Sequence, residues 1–316
     1  MPKLSALAVL LALACLIAGP VSSGEGGQSR YVPGSLATLI DIPPTKPGWV
    51  FEGQVVHYDG SASAPIPVAG RITANLDAKS TAVLPGAVYT FEKPVLGGMY
   101  SLGGFLPVVS MDITAEVEFP RGGMTRRSDS KTGVGDVVLI PAMLAWKSGF
   151  WTYSTALFVH APTGAYKEGR LANPGLNYWS IVPSAGLAYN NDQNGFNSSF
   201  NTGVDFNSEN SDTDYQTGSS VHVDASIQQI LPLGGGFLTV GVEGFWKKQY
   251  EGDSGDGATL GNFKGETQGY GPVLGYVLPV NDSSMVVELR WLKETSVQNR
   301  PKGDYFWLKF VYQFGG

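Results

Sequence analysis

From Tyr305 to Phe314 the chain alternates side chains of two kinds: Phe306, Leu308, Phe310, Tyr312 and Phe314 share one face, with Lys309 and Gln313 on the other beside Tyr305, Trp307 and Val311. A strand repeats its side-chain direction every two residues, so one face suits hydrocarbon and the other a wetter space. The same alternation recurs upstream. Val221, Val223, Ala225 and Ile227 oppose His222, Asp224, Ser226 and Gln228, and Leu238, Val240, Val242 and Trp246 oppose Thr239, Glu243, Lys247 and Gln249. Met285, Val287, Leu289 and Trp291 oppose Glu288, Arg290 and Glu294; Val109, Met111, Ile113, Val117 and Phe119 oppose Asp112, Thr114, Glu116 and Glu118. Polar-in and apolar-out alternation, repeated strand after strand, predicts a lipid-embedded antiparallel β-barrel.

The breakers between strands come in two alternating sizes. Short turns fall at 147–149, 191–195, 232–235 and 280–284, and longer polar connections at 120–132, 162–176, 207–216, 251–265 and 297–303. Short periplasmic turns and long external loops have this rhythm. Counting back from a periplasmic C-terminus gives strands near 304–314, 284–296, 266–279, 236–250, 217–231, 196–206, 177–190, 150–161, 133–146, 104–119, 82–94 and 48–58. The expected fold is an all-β, transmembrane antiparallel barrel of about twelve strands over residues 48–316. Between Asp59 and Thr81 the pattern leaves open a loop, an in-folded plug or another strand.

Composition narrows the picture. After the N-terminal segment, no apolar run reaches the roughly 20 residues a membrane helix needs, so spanning must be by a closed sheet whose backbone groups are all paired. There are 42 glycines, 15% charged residues and a formal charge of −6, a balance that excludes a basic nucleic-acid surface. Met1-Pro2-Lys3, an apolar run from Leu4 to Ala18 and the small residues Val21-Ser22-Ser23 predict a cleaved signal peptide, residues 1–23. A membrane anchor is the alternative, which Pro20 and the Ser/Gly-rich sequence behind it disfavour. The single cysteine, Cys15, falls in that segment, leaving the mature chain without thiol chemistry. Residues 24–47, rich in Gly, Ser and Pro, predict an irregular arm, either periplasmic or folded into the lumen. Phe314 and Tyr312 match the terminal aromatic signature of outer-membrane barrels, the expected signal to the barrel assembly machinery.

Three strings make the chain recognisable: Gly133-Val134-Gly135-Asp136, Pro162-Thr163-Gly164-Ala165-Tyr166 and Ala172-Asn173-Pro174-Gly175-Leu176-Asn177-Tyr178-Trp179-Ser180. With Val204-Asp205-Phe206-Asn207, His222-Val223-Asp224 and Gly271-Pro272-Val273-Leu274 in order behind them, the chain resembles the MetA-pathway of phenol degradation family of outer-membrane transporters over nearly all of its mature length. The resemblance implies a barrel and uptake of aromatic compounds.

The leading expectation is passive passage of a small hydrophobic or aromatic solute, because a twelve-strand barrel is wider than the eight-strand kind that side chains fill. The expected lumen and substrate path comprises Glu52, Asp112, Glu116, His222, Asp224, Glu243, Lys247, Glu288, Arg290 and Lys309, with Tyr305 and Trp307 among its inward aromatics, alongside Tyr178, Phe237 and Phe245. Carboxylates outnumber cations there, which opposes an anionic solute. A non-conducting structural or surface-interaction barrel is the alternative. A lipid hydrolase is a weaker one: His222, Asp224 and Ser226 lie two apart along one strand, roughly 7 Å per step, too far for a nucleophile and its base. Arg121, Arg126, Arg127 and Lys131 would sit at the outer surface, either to meet lipopolysaccharide phosphates or for plain solubility. The acidic stretches 251–257 and 207–214 lack a calcium-loop pattern, no metal or cofactor is implied, and a monomer is expected.

Overall fold

The computed structural model describes residues 29–63, 66–68, 71–118, 124–259, 264–281 and 283–314. The expected signal segment, Phe119 and Arg121 lie outside the described residues. The strands, in chain order, are β1 (Gly48–Ala62), β2 (Ile66–Val68), β3 (Arg71–Thr90), β4 (Met99–Phe105), β5 (Val108–Glu118), β6 (Met124–Val134), β7 (Val138–Ser148), β8 (Trp151–His160) and β9 (Ser180–Asn191). They continue with β10 (Phe196–Asn207), β11 (Glu209–Asn210), β12 (Tyr215–Gln216), β13 (Ser220–Leu233), β14 (Gly236–Gln249), β15 (Glu266–Val280), β16 (Ser283–Gln298) and β17 (Lys302–Gln313).

All wall pairings are antiparallel, and β1 pairs β3 on one side and β17 on the other, so the sheet closes. β4 and β5 are two halves of one wall strand, broken at Leu106-Pro107; β6 and β7 are likewise two halves broken at 135–137. Proline cannot donate to a ladder, which accounts for the first break; Gly135 N donates to Pro107 O at 2.8 Å and stitches the second break to it. Counted this way the wall has twelve strands, and the periplasmic turns stay short. Gly149 and Gly234 supply the positive φ, +58° and +59°, that two of those turns need.

Two boundaries differ from the sequence expectation. The described residues within 59–81 form the top of the β1–β3 hairpin, paired residue for residue from Gly48↔Thr90 to Ala62↔Leu76, with the short β2 pairing β3 beyond. Residues 124–132, expected as a polar loop, form strand β6 against β5. Thus β1, β3, β5 and β6 run on past the lipid belt as a projecting sheet. The belt's upper edge there is marked by the exposed Val83, Val108 and Val134, with the exposed Lys79–Asp59 ion pair and Asp112 above it.

That projection reverses the polarity of β5. Met111, Ile113 and Ala115 are buried on the inner face against Leu76, and Leu171 and Ala172 of the β8–β9 loop cover them. Asp112 is exposed, and Glu116 accepts a hydrogen bond from exposed Asn75 at 2.7 Å. Both stand on the outer, water-facing side of the projection, so neither belongs to the lumen. The apolar-outward rule holds only where lipid is the neighbour; once the strand clears the membrane, water takes the outer face and the apolar set turns inward.

Within the belt the alternation is as expected. On β17, Tyr305, Trp307, Lys309 and Val311 are buried while Phe306, Leu308 and Phe310 are exposed. A girdle of ring contacts, Trp49–Tyr89, Tyr89–Phe91 and Phe91–Tyr100, rims the periplasmic edge. Phe314 joins it through edge contacts to Phe51 and Tyr312.

Candidate functional site: a two-faced lumen divided by the arm

Residues 29–47, before β1, thread the barrel. Arg30 lies at the extracellular rim, donating to Asp136 Oδ2 (2.5 Å), to Ser180 Oγ (3.0 Å) and to the Tyr178 carbonyl, with its guanidinium 4.4 Å from the Tyr178 ring centre. From there the chain descends through the lumen to a 3-10 turn at Leu39–Asp41 and reaches the periplasmic start of β1 at Gly48. Of the two arm positions left open by the sequence, the contacts are those of a lumenal one.

Asp136, in the break between β6 and β7, is the upper anchor. Besides Arg30 it accepts from Gly164 N at 2.8 Å and Leu176 N at 2.7 Å. Three of the strings that carried the family resemblance therefore meet at one carboxylate, which fixes the β8–β9 loop and the arm together.

Lower down, the arm lies against β13, β14, β16 and β17, whose inward side chains form a polar wall. Tyr31 donates to Asp224 Oδ1 at 2.5 Å and stacks on His222 with ring centres 4.1 Å apart. Trp307 Nε1 donates to Pro33 O at 2.9 Å, and Lys309 Nζ to Ser35 O at 2.7 Å. Gly34 has φ +84°, and a Cβ there would come within 2.9 Å of Trp307 Nε1, so only glycine lets the arm pass. Its carbonyl accepts from Arg290. Ser226 Oγ donates to Ala37 O at 2.5 Å, and Leu39 N to Gln228 Oε1 at 2.7 Å.

The centre of this wall is Arg290, fully buried. It pairs with Asp41 of the arm at 2.6 Å, Glu288 at 2.6 Å and Glu243 at 3.2 Å. Lys309 Nζ reaches the other Asp41 oxygen at 2.6 Å. Burial by itself would raise the Asp41 pKa, but the two cations outweigh it and hold the carboxyl at about 2. A buried charge cluster of this kind persists because each member is paired; removing one leaves the others uncompensated.

The opposite wall is apolar. Ile140, Met143, Phe158, Val182, Val50 and Val88 turn inward from β7, β8, β9, β1 and β3 and cluster with Ile40 of the arm. Between this wall and the arm runs a cavity of about 250 Å³. At the periplasmic end Pro43, Pro44, Val286, Val311 and Gln313 line it; at the extracellular end Arg30, Tyr31, His160, Asp205 and His222 do.

The structure thus sorts the residues expected to line a path. Glu52, His222 and Trp307 face the cavity. Asp224, Glu288, Arg290 and Lys309 bind the arm directly, and Glu243 supports Arg290. Lys247 lies 3.9 Å from Asp205, which accepts from Ser220 Oγ at 2.5 Å. Tyr305 is held by Arg300 at 2.8 Å and packs with Phe245 and Leu292 under the extracellular end. Tyr178 is buried beneath Arg30, whereas Phe237 stands exposed at the periplasmic rim. The residues the sequence did not single out are Arg30, Tyr31 and Asp41 of the arm, and Met143, Ile140 and Phe158, apolar yet inward.

The residues weighed for a hydrolase and for calcium have the following partners. Ser226 donates to the arm's Ala37 carbonyl and Asp224 accepts from Tyr31, so no nucleophile-and-base pair forms along β13. In the acidic extracellular loops Asp253 accepts from Tyr215 (2.5 Å), Gln249 (2.5 Å) and Gly218 N (2.9 Å), and among the described residues no metal-ligand set converges.

The sequence profile of the family described as MetA-pathway of phenol degradation matches residues 61–310. Among solved structures, an outer-membrane channel from Pseudomonas putida F1 superposes with a TM-score of 0.63 at 16% identity, covering 90% of this chain and all of that one. The β domain of the Bordetella autotransporter BrkA gives 0.49 at 12% identity, covering 85% of this chain and all of that one. No curated protein matches the chain in sequence. The closed barrel with its lipid-facing belt, the family match and the likeness to the P. putida barrel together place the protein in the bacterial outer membrane.

Proposed function

The chain belongs to the MetA-pathway of phenol degradation family, and from that premise we propose that it is a channel or carrier for passive passage of small hydrophobic or aromatic molecules across the outer membrane. The observation that carries this reading is the asymmetry of the lumen. The polar wall is consumed by the arm, residue against residue, while the remaining space is bounded by Ile140, Met143, Phe158, Val182 and Val88. A cavity lined mostly by hydrocarbon and reaching the periplasmic rim suits an apolar ring and offers little to a hydrated ion. Glu52 and Asp205 border it, so an anion would meet an unfavourable field. The P. putida neighbour is itself described as a channel, which agrees with this reading.

The path residues are Glu52, His222, Trp307 and the apolar wall; Arg290, Lys309, Glu288, Glu243 and Asp224 set the arm that bounds it. The partners on this reading are outer-membrane lipid around the belt, the barrel assembly machinery at Tyr312 and Phe314, and lipopolysaccharide phosphates near the exposed Arg126 and Arg127. The test is single-channel recording of the refolded mature protein in a planar bilayer with a neutral aromatic added on one side. Small steps, reversibly blocked by the aromatic, support the proposal. A heat-modifiable barrel that is electrically silent, or whose steps ignore the solute, contradicts it.

A further inference from the structure

The cavity is apolar along most of its length but ends, on the extracellular side, at two imidazoles. His160 closes β8 with its side chain turned inward, and it lines the cavity. Its charged neighbours are Arg30, Asp205 and Asp136, yet neither of its ring nitrogens hydrogen-bonds to any described residue. Arg30 is already committed to Asp136, Ser180 and the Tyr178 carbonyl. His222, beside it in the lining, is fixed by stacking on Tyr31, and its Nδ1 stands 3.6 Å from Asp205 Oδ1, longer than a hydrogen bond. A neutral imidazole offers one donor and one acceptor, so this end of the cavity holds hydrogen-bonding capacity that the described residues leave unused.

One inward position below His160 on the same strand is Phe158, and its neighbours across the sheet are Val182 and Ile140. Two residues along a strand span roughly 7 Å, enough for a hydroxyl hydrogen-bonded at the level of His160 to leave its ring beside Phe158.

We propose that this end of the cavity is a head-group site: His160, with His222 beside it, takes the hydroxyl of a neutral phenol-type molecule whose ring lies against Phe158, Val182 and Ile140. This rests on the reading of the barrel as a path for apolar solutes and adds what that reading lacks, a chemical criterion for choosing among them. A phenolate is disfavoured, because Asp205 adjoins the site and the Arg30 charge is neutralised by Asp136. A plain hydrocarbon fits the ring site but leaves the imidazoles unpaired, which is how a hydrogen-bonding pocket discriminates between near-isosteres.

The experiment compares 4-propylphenol with 4-propyltoluene, nearly equal in size and differing at the hydroxyl, as blockers of single-channel current through refolded wild type and variants. His160→Leu should raise the half-blocking concentration of 4-propylphenol by roughly three- to tenfold, the worth of one hydrogen bond, and leave that of 4-propyltoluene within about twofold, the band of a small packing change. His160→Gln, which keeps a donor and an acceptor, should recover most of the difference, and folding of each variant is read from its heat-modifiable mobility. Equal loss for both blockers in His160→Leu overturns the head-group site while leaving the apolar path intact. Loss of discrimination in Glu52→Gln instead of His160→Leu also overturns it, by moving the hydroxyl to β1. Absence of block by either compound in wild type is failure of the underlying function reading.

Discussion

Arg290 of β16 and Asp41 of the arm, 249 residues apart in sequence, share a hydrogen bond of 2.6 Å at the middle of the lumen. This contact, doubled by Lys309 on the other carboxylate oxygen, holds the arm against the polar wall. Asp41→Asn should free the arm, since Lys309 loses its carboxylate partner. Breaking a buried pair of this kind costs about 3–5 kcal/mol. The expected readout is larger and noisier single-channel conductance from a barrel that still shifts on heating in gel electrophoresis; unchanged conductance would mean the backbone contacts to Pro33, Ser35 and Ala37 suffice.

The same contact sets a pH dependence. Asp41 has a depressed carboxyl, at about 2, against about 3.9 when unfolded. A group with a lowered folded-state pKa contributes stability above its unfolded value and loses it as pH falls through the folded one. Arm release should therefore set in as pH drops from about 4 towards 2, recorded as rising conductance in acid. Asp41→Asn should show no such rise in that window, because position 41 then holds no carboxylate to protonate.

Asp136 anchors the β8–β9 loop through Gly164 and Leu176 and the arm through Arg30. Asp136→Ala removes all three acceptor contacts at once. Local opening of the loop by about 2 kcal/mol should speed tryptic cleavage at the exposed Lys167 and at Arg170 by at least tenfold, measured by gel time course on the folded barrel. The cover that Leu171 provides for Met111 and Ile113 makes this a loss of packing as well as of hydrogen bonds.

Phe314 is the last described residue; its backbone N–H donates to Trp49 O at 2.8 Å and its ring meets Phe51. Phe314→Ala should lower the amount of folded protein in the outer-membrane fraction severalfold, with little change in the melting of whatever folds, since the ring is 45% exposed. Equal loss of yield and melting temperature would make it a stability residue instead of an assembly signal.

How far the sequence carried depends on what lies beside each strand. Where lipid is the neighbour, as along β13, β14, β16 and β17, period-two alternation identified the inward set, Arg290, Lys309, Glu243, Glu288, His222 and Asp224 among them. It misread Asp112 and Glu116 because β5 leaves the membrane and its polarity inverts. It was silent on the apolar wall: Ile140, Met143 and Phe158 break a polar-inside rule, and only the fold reveals that the arm occupies the polar half, leaving the apolar half as space. The arm's Arg30, Tyr31 and Asp41 were hidden by their setting, three informative side chains in a Gly/Ser/Pro stretch with no periodicity. Asp136 was visible within a recognisable string, but nothing in one dimension says that Gly164 and Leu176 converge on it.

On the proposed function, the apolar half of the lumen is the route. The direct measurement is the initial rate at which intact cells take up radiolabelled toluene when they produce wild type, the cavity-filling variant Met143→Trp, or no barrel. Uptake faster with wild type, and returned to the barrel-free rate by Met143→Trp at equal levels of folded protein, is the expected result. Uptake with wild type no faster than without the barrel, or undiminished in Met143→Trp, would contradict it.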